Sequence, residues 1–339
     1  MTYTDRDLDS AVKAGAISAA SATNLREFVA RERSTSIADE EQFRLLTGFN
    51  DIFVSIATVL MLAALIQFGH IFGAALVASA SWALAEFFTR KRRMALPSII
   101  LVLSFVGAAF AAGVFAAKSL LGNGDPGSFE QDKEIGAALA VVAAYVHWRR
   151  FKVPLTVAVG VAAGVALATL LIGGLLGDRQ GGWLIPFLFA TGIGVFALAL
   201  HWDASDRART TRRSDVAFWL HLLASPLLVH PAFWWLGLLE LGNASTAIGR
   251  ACAGMGIYVV LAAVAVAIDR RALLVSALIY VMYAMSTLLR AAGSVDASHA
   301  LTALVVGSLL LFLSVFWGGV RRAVVGRLPV RVQELLPAA

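Results

Sequence analysis

From residue 50 onward, long apolar runs are separated by short polar connections. A helix needs roughly 20 predominantly apolar residues to cross the hydrocarbon core of a bilayer. Ten such runs are placed near 50–68, 70–89, 96–120, 135–148, 153–176, 183–201, 216–239, 248–268, 272–290 and 300–319, the fourth being short. The predicted fold class is all-α, a polytopic transmembrane helix bundle of about ten spans over residues 47–320. Residues 1–46 form an N-terminal helical segment and residues 321–339 a C-terminal tail.

The connections come in two kinds. One set is basic: Arg90-Lys91-Arg92-Arg93; Arg149-Arg150 with Lys152; Arg207, Arg209, Arg212 and Arg213; Arg270-Arg271; and Arg321-Arg322 with Arg327 and Arg331. The other set is poor in Lys and Arg and comprises Gly69, 121–134, 177–182, 240–247 and 291–299. Lys and Arg mark cytoplasmic loops. Ten spans with both termini in the cytoplasm put every basic connection on that side, which predicts a multi-pass protein of a bacterial inner membrane. The Arg pairs recur at roughly 50–65 residues, one helical hairpin apart, and two spans end in His-Trp (His147-Trp148 and His201-Trp202). Duplication of a hairpin gives this pattern. So does topology alone, which places Arg pairs and interfacial Trp at such ends.

Polar positions dominate residues 1–46. Thr4 caps a first helix with Asp7 three residues on, Gly15 stops it, and Ile17-Ser18 opens a second. Leu25, Phe28 and Val29 make an apolar stripe on that second helix. A helical hairpin of this kind predicts a cytoplasmic cap, a membrane-surface anchor or a docking site for a protein partner.

Composition agrees with the pattern. Hydrophobic residues make up 59% of the 339 and charged residues 15%, with mean hydropathy +0.78. Soluble domains average about 45–50% and about 25%, so polar surface is too scarce to wrap a water-soluble globule. The lone Cys252 excludes disulfides and Cys-based metal sites within one chain. The net charge of +6 would suggest nucleic acid in a soluble protein. Here the basic residues sit at span ends, so the expected partners are the lipid bilayer and its anionic headgroups rather than nucleic acid.

Charged and titratable groups within the spans carry the candidate chemistry, because charge in hydrocarbon is costly. Glu86, Lys118, Arg250, Asp269 and Arg290 lie near span ends, where an interfacial role suffices. The span at 216–239 differs. It holds His221 and His230 with Pro226 and Pro231, each proline removing a backbone donor and tending to kink the helix. Ser225 is four residues from His221 and Trp234 four from His230, so each pair shares a face. A kinked helix with a mid-membrane imidazole is where a transporter builds a site, and His carries protons near neutral pH. The candidate substrate-binding set is His230, His221, Ser225 and Trp234, and the candidate gate is Asp215 with Arg212 and Arg213. The charged stretch from Asp203 to Asp215 reads equally as a solvated loop facing anionic headgroups. His221 and His230, nine residues apart, face opposite sides of an ideal helix and make no metal pair.

No His-Glu-x-x-His, Gly-x-Ser-x-Gly or phosphate-loop motif occurs. Gly122-Asn123-Gly124-Asp125 has the Gly-x-Gly-Asp form of intramembrane aspartyl proteases, but it falls in an outer connection and no second mid-membrane Asp accompanies it. Gly160/Gly164 and Gly173/Gly177 are small-residue pairs suited to close helix packing. No catalytic residue, metal or cofactor is expected, and the chain does not read as an enzyme.

The tract Thr210-Thr211-Arg212-Arg213-Ser214-Asp215-Val216-Ala217-Phe218-Trp219-Leu220-His221-Leu222-Leu223, followed by Pro226 and His230-Pro231, resembles one in uncharacterised multi-spanning membrane proteins of alphaproteobacteria. The front end, a short polar helical pair carrying Gly15-Ala16-Ile17-Ser18, is similar to larger families of bacterial predicted membrane proteins without assigned function. These resemblances imply a polytopic membrane protein with a short cytoplasmic helical segment, and they imply no activity. The leading functional expectation is binding or passage of a small solute or ion through a kinked span 216–239. The alternative is a non-transporting membrane scaffold or sensor acting through residues 1–46.

Overall fold

The structure, a computed structural model, describes residues 5–26, 49–121, 128–176, 182–206, 209, 211–238, 244–291 and 298–333. Among them all regular structure is helical, and the chain divides into two units, Met1–Phe43 and Arg44–Ala339. In the first, helix α1 (Asp5–Lys13) ends in a Schellman pair: the Ala16 N–H reaches the Ala11 carbonyl at 2.9 Å and the Gly15 N–H reaches that of Val12 at 3.0 Å. Ser18 then caps a helical stretch at 19–26 by accepting from the Ser21 N–H at 3.0 Å. Arg26 pairs with Asp9 at 2.6 Å and ties the two helices together. The order helix, Gly15, helix is the one the sequence predicts; Thr4, Phe28 and Val29 lie outside the described residues.

The second unit contains α2 (Phe49–Ile66), α3 (His70–Ala85), α4 (Ala95–Leu121), α5 (Ser128–Phe151), α6 (Leu155–Leu176) and α7 (Leu184–Ala204). Then come α8 (Arg212–Trp235), α9 (Ala244–Ile268), α10 (Ala272–Ala291), α11 (Ser298–Val315), α12 (Trp317–Val325) and the single turn α13 (Val330–Gln333). A π-helical turn, Glu86–Lys91, continues α3. Neighbours in sequence pack as hairpins, α7 against α8 and α4 against α5 most extensively. Helix α8 also touches α6 and α10 and is the most enclosed of the apolar helices. The buried core is rich in Ala, as expected where helices associate by close packing rather than by a hydrophobic drive. Gly160 fits this role, since a Cβ there would sit 3.3 Å from that of Ala144. Gly177 lies outside the described residues, as does the Gly122–Asp125 tract.

The runs predicted as spans fall largely on helices. Among the described residues eight helices, rather than ten, are long and apolar enough to cross a membrane, or nine if one bent pair counts as a span. Two runs account for the difference. The run at 135–148 is the later part of α5, flanked by Asp132, Lys133 and Glu134 before it and Arg149 and Arg150 after it. Its apolar stretch rises only about 21 Å, short of the roughly 30 Å of a hydrocarbon core. The run at 300–319 is not one helix: the chain bends by 75° between α11 and α12, at Phe316. Helix α12 buries Trp317, Arg321 and Val325, one face at four-residue spacing. The tail boundary drawn at 320/321 therefore falls inside α12.

Helix α8 runs unbroken through Pro226 and Pro231. Pro231 has no N–H to offer the Leu227 carbonyl one turn back. Gly192 of α7 packs against that carbonyl, so close that a Cβ on it would come within 3.0 Å of the oxygen.

The basic connections share a backbone device. Arg93, Lys152, Arg209 and Asp269 all adopt left-handed conformations, with φ between +52° and +58° and spacings of 57 to 60 residues. In each case the next helix begins two or three residues later. Characteristic helix-end bonds close three of the turns, Met94 N–H to Phe88 O at 3.0 Å, Lys152 N–H to Trp148 O at 3.1 Å and Arg270 N–H to Ala265 O at 2.8 Å. A side-chain-bearing residue loses about 1–2 kcal/mol in this conformation. At the far end of α8 the same turn is made by Gly237, at φ +61°. Charged residues stand at the turns of the basic end, and two of them, Arg209 and Asp269, pair through their side chains at 2.7 Å.

Candidate functional site

Asp203 is the centre of a cluster of charged and titratable side chains at the basic end. It lies in the last turn of α7, and the antiparallel packing of α7 on α8 brings it to His221, whose Nε2 is 2.8 Å from Asp203 Oδ2. Arg270, from the α9–α10 connection, grips the same carboxylate: its Nε lies 3.1 and 3.2 Å from the two oxygens and its Nη2 donates to Oδ1. The Arg270 Nη2 also donates to Ser214 Oγ at 3.0 Å. Arg270 is 2% exposed and His221 is fully buried. Charge-assisted, two-pronged bonds of this kind offset the cost of burying the guanidinium.

The chemistry of the imidazole follows from its partner. A carboxylate accepts, so His221 Nε2–H donates to it and Nδ1 carries the lone pair. That Nδ1 is buried and finds no hydrogen-bond partner among the described residues. Phe196 stands edge-on to the ring at 5.4 Å. His221 Nδ1 is therefore the atom at which the cluster would take up a proton.

A second layer surrounds this core. Asp269 accepts from Arg209 Nη1 at 2.7 Å and from Trp317 Nε1 at 2.7 Å, with Arg321 Nε at 3.9 Å. Arg209 also donates to the Ile268 carbonyl at 3.0 Å. Burial, and then the nearby Arg270 charge, pull the Arg209 guanidinium below its ordinary pKa. Asp206 accepts from the Thr211 N–H at 2.9 Å and the Thr211 hydroxyl at 2.6 Å, while Thr211 Oγ1 caps α8 through the Arg213 N–H at 3.2 Å. The Arg271 guanidinium lies 4.8 Å from the Trp317 ring centroid. The α7–α8 and α9–α10 connections and α12 thus meet at one end of the bundle.

The residues singled out from the sequence are not all gathered here. Ser225 shares the His221 face but donates to the Leu273 carbonyl at 2.9 Å, a bond from α8 to the start of α10. His230 lies apart, its Nδ1 3.2 Å from the Tyr280 hydroxyl. Trp234 is exposed. The Arg and the carboxylate that meet are Arg270 and Asp203, not Arg212 or Arg213 and Asp215. Arg212 points to the Lys152 carbonyl at 3.5 Å, and Asp215 is half-buried one residue beyond Ser214. Asp203 lay within the charged stretch already noted, while nothing in the sequence separates Arg270 from its neighbour Arg271. Tyr280 carried no signal, being one aromatic in an apolar run.

No family model, curated protein or solved structure matches the chain. The geometry is what bears on function.

Proposed function

We propose that this membrane protein binds or passes a small solute or ion along α8, with the Asp203–His221–Arg270 cluster as a charged gate that responds to a proton at His221. The observation that carries this reading is the meeting of an imidazole, a carboxylate and a guanidinium, buried, at one end of the most enclosed apolar helix. Ionisable groups in membrane bundles are costly and mark ion pathways and proton relays. With neutral His221 the cluster carries no net charge. A proton at Nδ1 leaves two cations sharing one carboxylate in a low-dielectric site, and Arg209 adds a third cation nearby. That favours separation of α8 from the α9–α10 connection and entry of water. His230 with Tyr280 is the next polar station, about 13 Å further along α8.

The setting we propose is a bacterial inner membrane, with the basic connections, the gate and both termini on the cytoplasmic side and anionic headgroups facing the exposed Arg and Lys. The regular spacing of Arg93, Lys152, Arg209 and Asp269 supports descent from a duplicated hairpin.

The test is proton uptake by liposomes containing the purified protein and an internal pH dye, driven by a potassium diffusion potential. Uptake above protein-free liposomes, lost in His221→Asn, is expected. Uptake equal to protein-free liposomes, or unchanged by the substitution in a protein that still elutes as a folded species, overturns the reading.

A second reading has its own support. Residues 1–43 form a separate unit with a capped helix pair and an internal ion pair. This suits a scaffold or sensor that engages a protein partner through its N-terminal segment. Binding of that partner by variants with an intact cluster but an Asp9→Ala hairpin would be reduced.

A further inference from the structure

A groove of about 460 Å³ lies between α2, α3 and α4, far in sequence from the charged cluster. It exists because small residues face each other there: Gly73 and Ala74 on α3, and Gly107, Ala108 and Ala111 on α4. A Cβ placed on Gly107 would meet no atom within 4 Å, so the helices leave this space unfilled rather than packing into it. Ile66, on its rim, is 61% exposed, and the neighbouring Phe72 is 74% exposed. On helices of membrane-spanning length and apolarity such a face meets lipid hydrocarbon. A void there would forfeit dispersion contacts along its whole lining, and acyl chains are the apolar groups at hand to supply them.

The dimensions and the polar groups narrow the occupant. Along α4 the lining runs from Ser104 to Phe115, a rise of about 16 Å. That is close to half of a roughly 30 Å hydrocarbon core, one leaflet deep. The groove ends at the Gly69 turn, where His70 lines it and stands edge-on to Phe115 at 5.5 Å. His70 adopts a left-handed backbone with φ +43°, immediately after Gly69 at φ +78°. Lys118 lies three residues beyond Phe115, on the same face of α4. The apolar slot therefore opens beside His70, with Lys118 one turn beyond its last lining residue on α4.

We propose that this groove is a binding site for one acyl chain of an anionic phospholipid, drawn from the leaflet at the Gly69 end, with its headgroup against His70 and Lys118. The lipid completes the α2–α3–α4 packing that the protein leaves open. The site is independent of the proposed gate.

A photoreactive phosphatidylglycerol with a diazirine in its acyl chain tests this on the full-length protein in mixed micelles. Crosslinks should concentrate on peptides of α3 and α4 that line the groove. Unlabelled phosphatidylglycerol should displace the probe about tenfold more effectively than phosphatidylcholine, the scale of one hydrogen bond to a charged group. Gly107→Leu, which fills open space, should abolish the crosslink while keeping the melting temperature. Gly164→Leu, also directed into open space but on α6, should leave the crosslink intact. Crosslinks spread evenly over all apolar helices would overturn the proposal, as would retention in Gly107→Leu. Equal displacement by phosphatidylcholine, or better displacement by free palmitate, would also overturn it, by assigning the groove to hydrocarbon in general or to a fatty acid.

Discussion

Two acid–arginine pairs at the same end of the bundle show how much burial decides. Glu86, just after α3, pairs with Arg150 at 2.6 Å and with Arg90 at 3.3 Å. Asp203, at the end of α7, pairs with Arg270. In both, an acid at the end of one helix clasps an Arg one helical hairpin further along the chain, 64 residues on for Glu86 and 67 for Asp203. Yet Glu86 and Arg150 are 30% and 42% exposed, whereas Asp203 and Arg270 are 13% and 2% exposed. The first is a clamp in contact with water or headgroups. The second is sealed and has acquired a titratable third member.

The two buried histidines sharpen the contrast. His147 is as buried as His221, but its Nδ1 faces the Thr156 hydroxyl at 3.2 Å, and Phe151 and Trp82 pack nearby. A neutral hydroxyl asks nothing of the imidazole's charge. A carboxylate shared with a guanidinium makes the charge of His221 the variable that sets the electrostatic balance of the cluster.

Substitutions break this comparison in graded fashion. Asp203→Asn strands Arg270 without its carboxylate, and losing one partner of a buried pair costs about 3–5 kcal/mol. Equilibrium unfolding in mixed micelles should register a loss of this size. Arg270→Lys keeps the charge but loses the two-pronged grip and the bond to Ser214, a loss of about 1.5–3 kcal/mol by the worth of a charged hydrogen bond. Ser225→Ala removes one neutral bond between α8 and α10 and should lower stability by about 1 kcal/mol in the same assay. Glu86→Gln breaks an exposed pair and should cost least of the four. That small effect should shrink further in 1 M salt, where the screening length is about 3 Å, while the Asp203→Asn effect persists. A Glu86→Gln penalty as large as that of Asp203→Asn would erase the distinction between the pairs.

The sequence displayed the helices more readily than the site. Apolar runs bounded by Arg pairs located α2 to α11 but not the bend at Phe316 or helices α12 and α13, because length and charge are local properties. The bend was hidden because α12 is held by contacts from Trp317 and Arg321 to Asp269, almost fifty residues away in sequence. His221 stood out as an imidazole in an apolar helix. Its partners did not, since Asp203 and Arg270 look like ordinary members of charged span ends. Only the packing of α7 on α8, and of both on the 269–271 connection, turns Arg270 onto Asp203 while its neighbour Arg271 lies over the Trp317 ring. His230 also stood out, yet its bond to Tyr280 belongs to packing between α8 and α10 and lies apart from the charged cluster.

The most direct test of the gate is the protonation of His221 itself. Nitrogen-15 NMR of histidine-labelled protein in lipid nanodiscs, with His221→Asn for assignment, can follow it as the pH is lowered from neutrality over the whole range in which the protein stays folded. The account predicts a neutral ring with the proton on Nε2 at the upper end, and protonation of Nδ1 accompanied by loosening of the Arg270–Asp203 contact at the lower end. An imidazole that stays neutral throughout, or one that takes up its proton with the Arg270 contact unchanged, would contradict it.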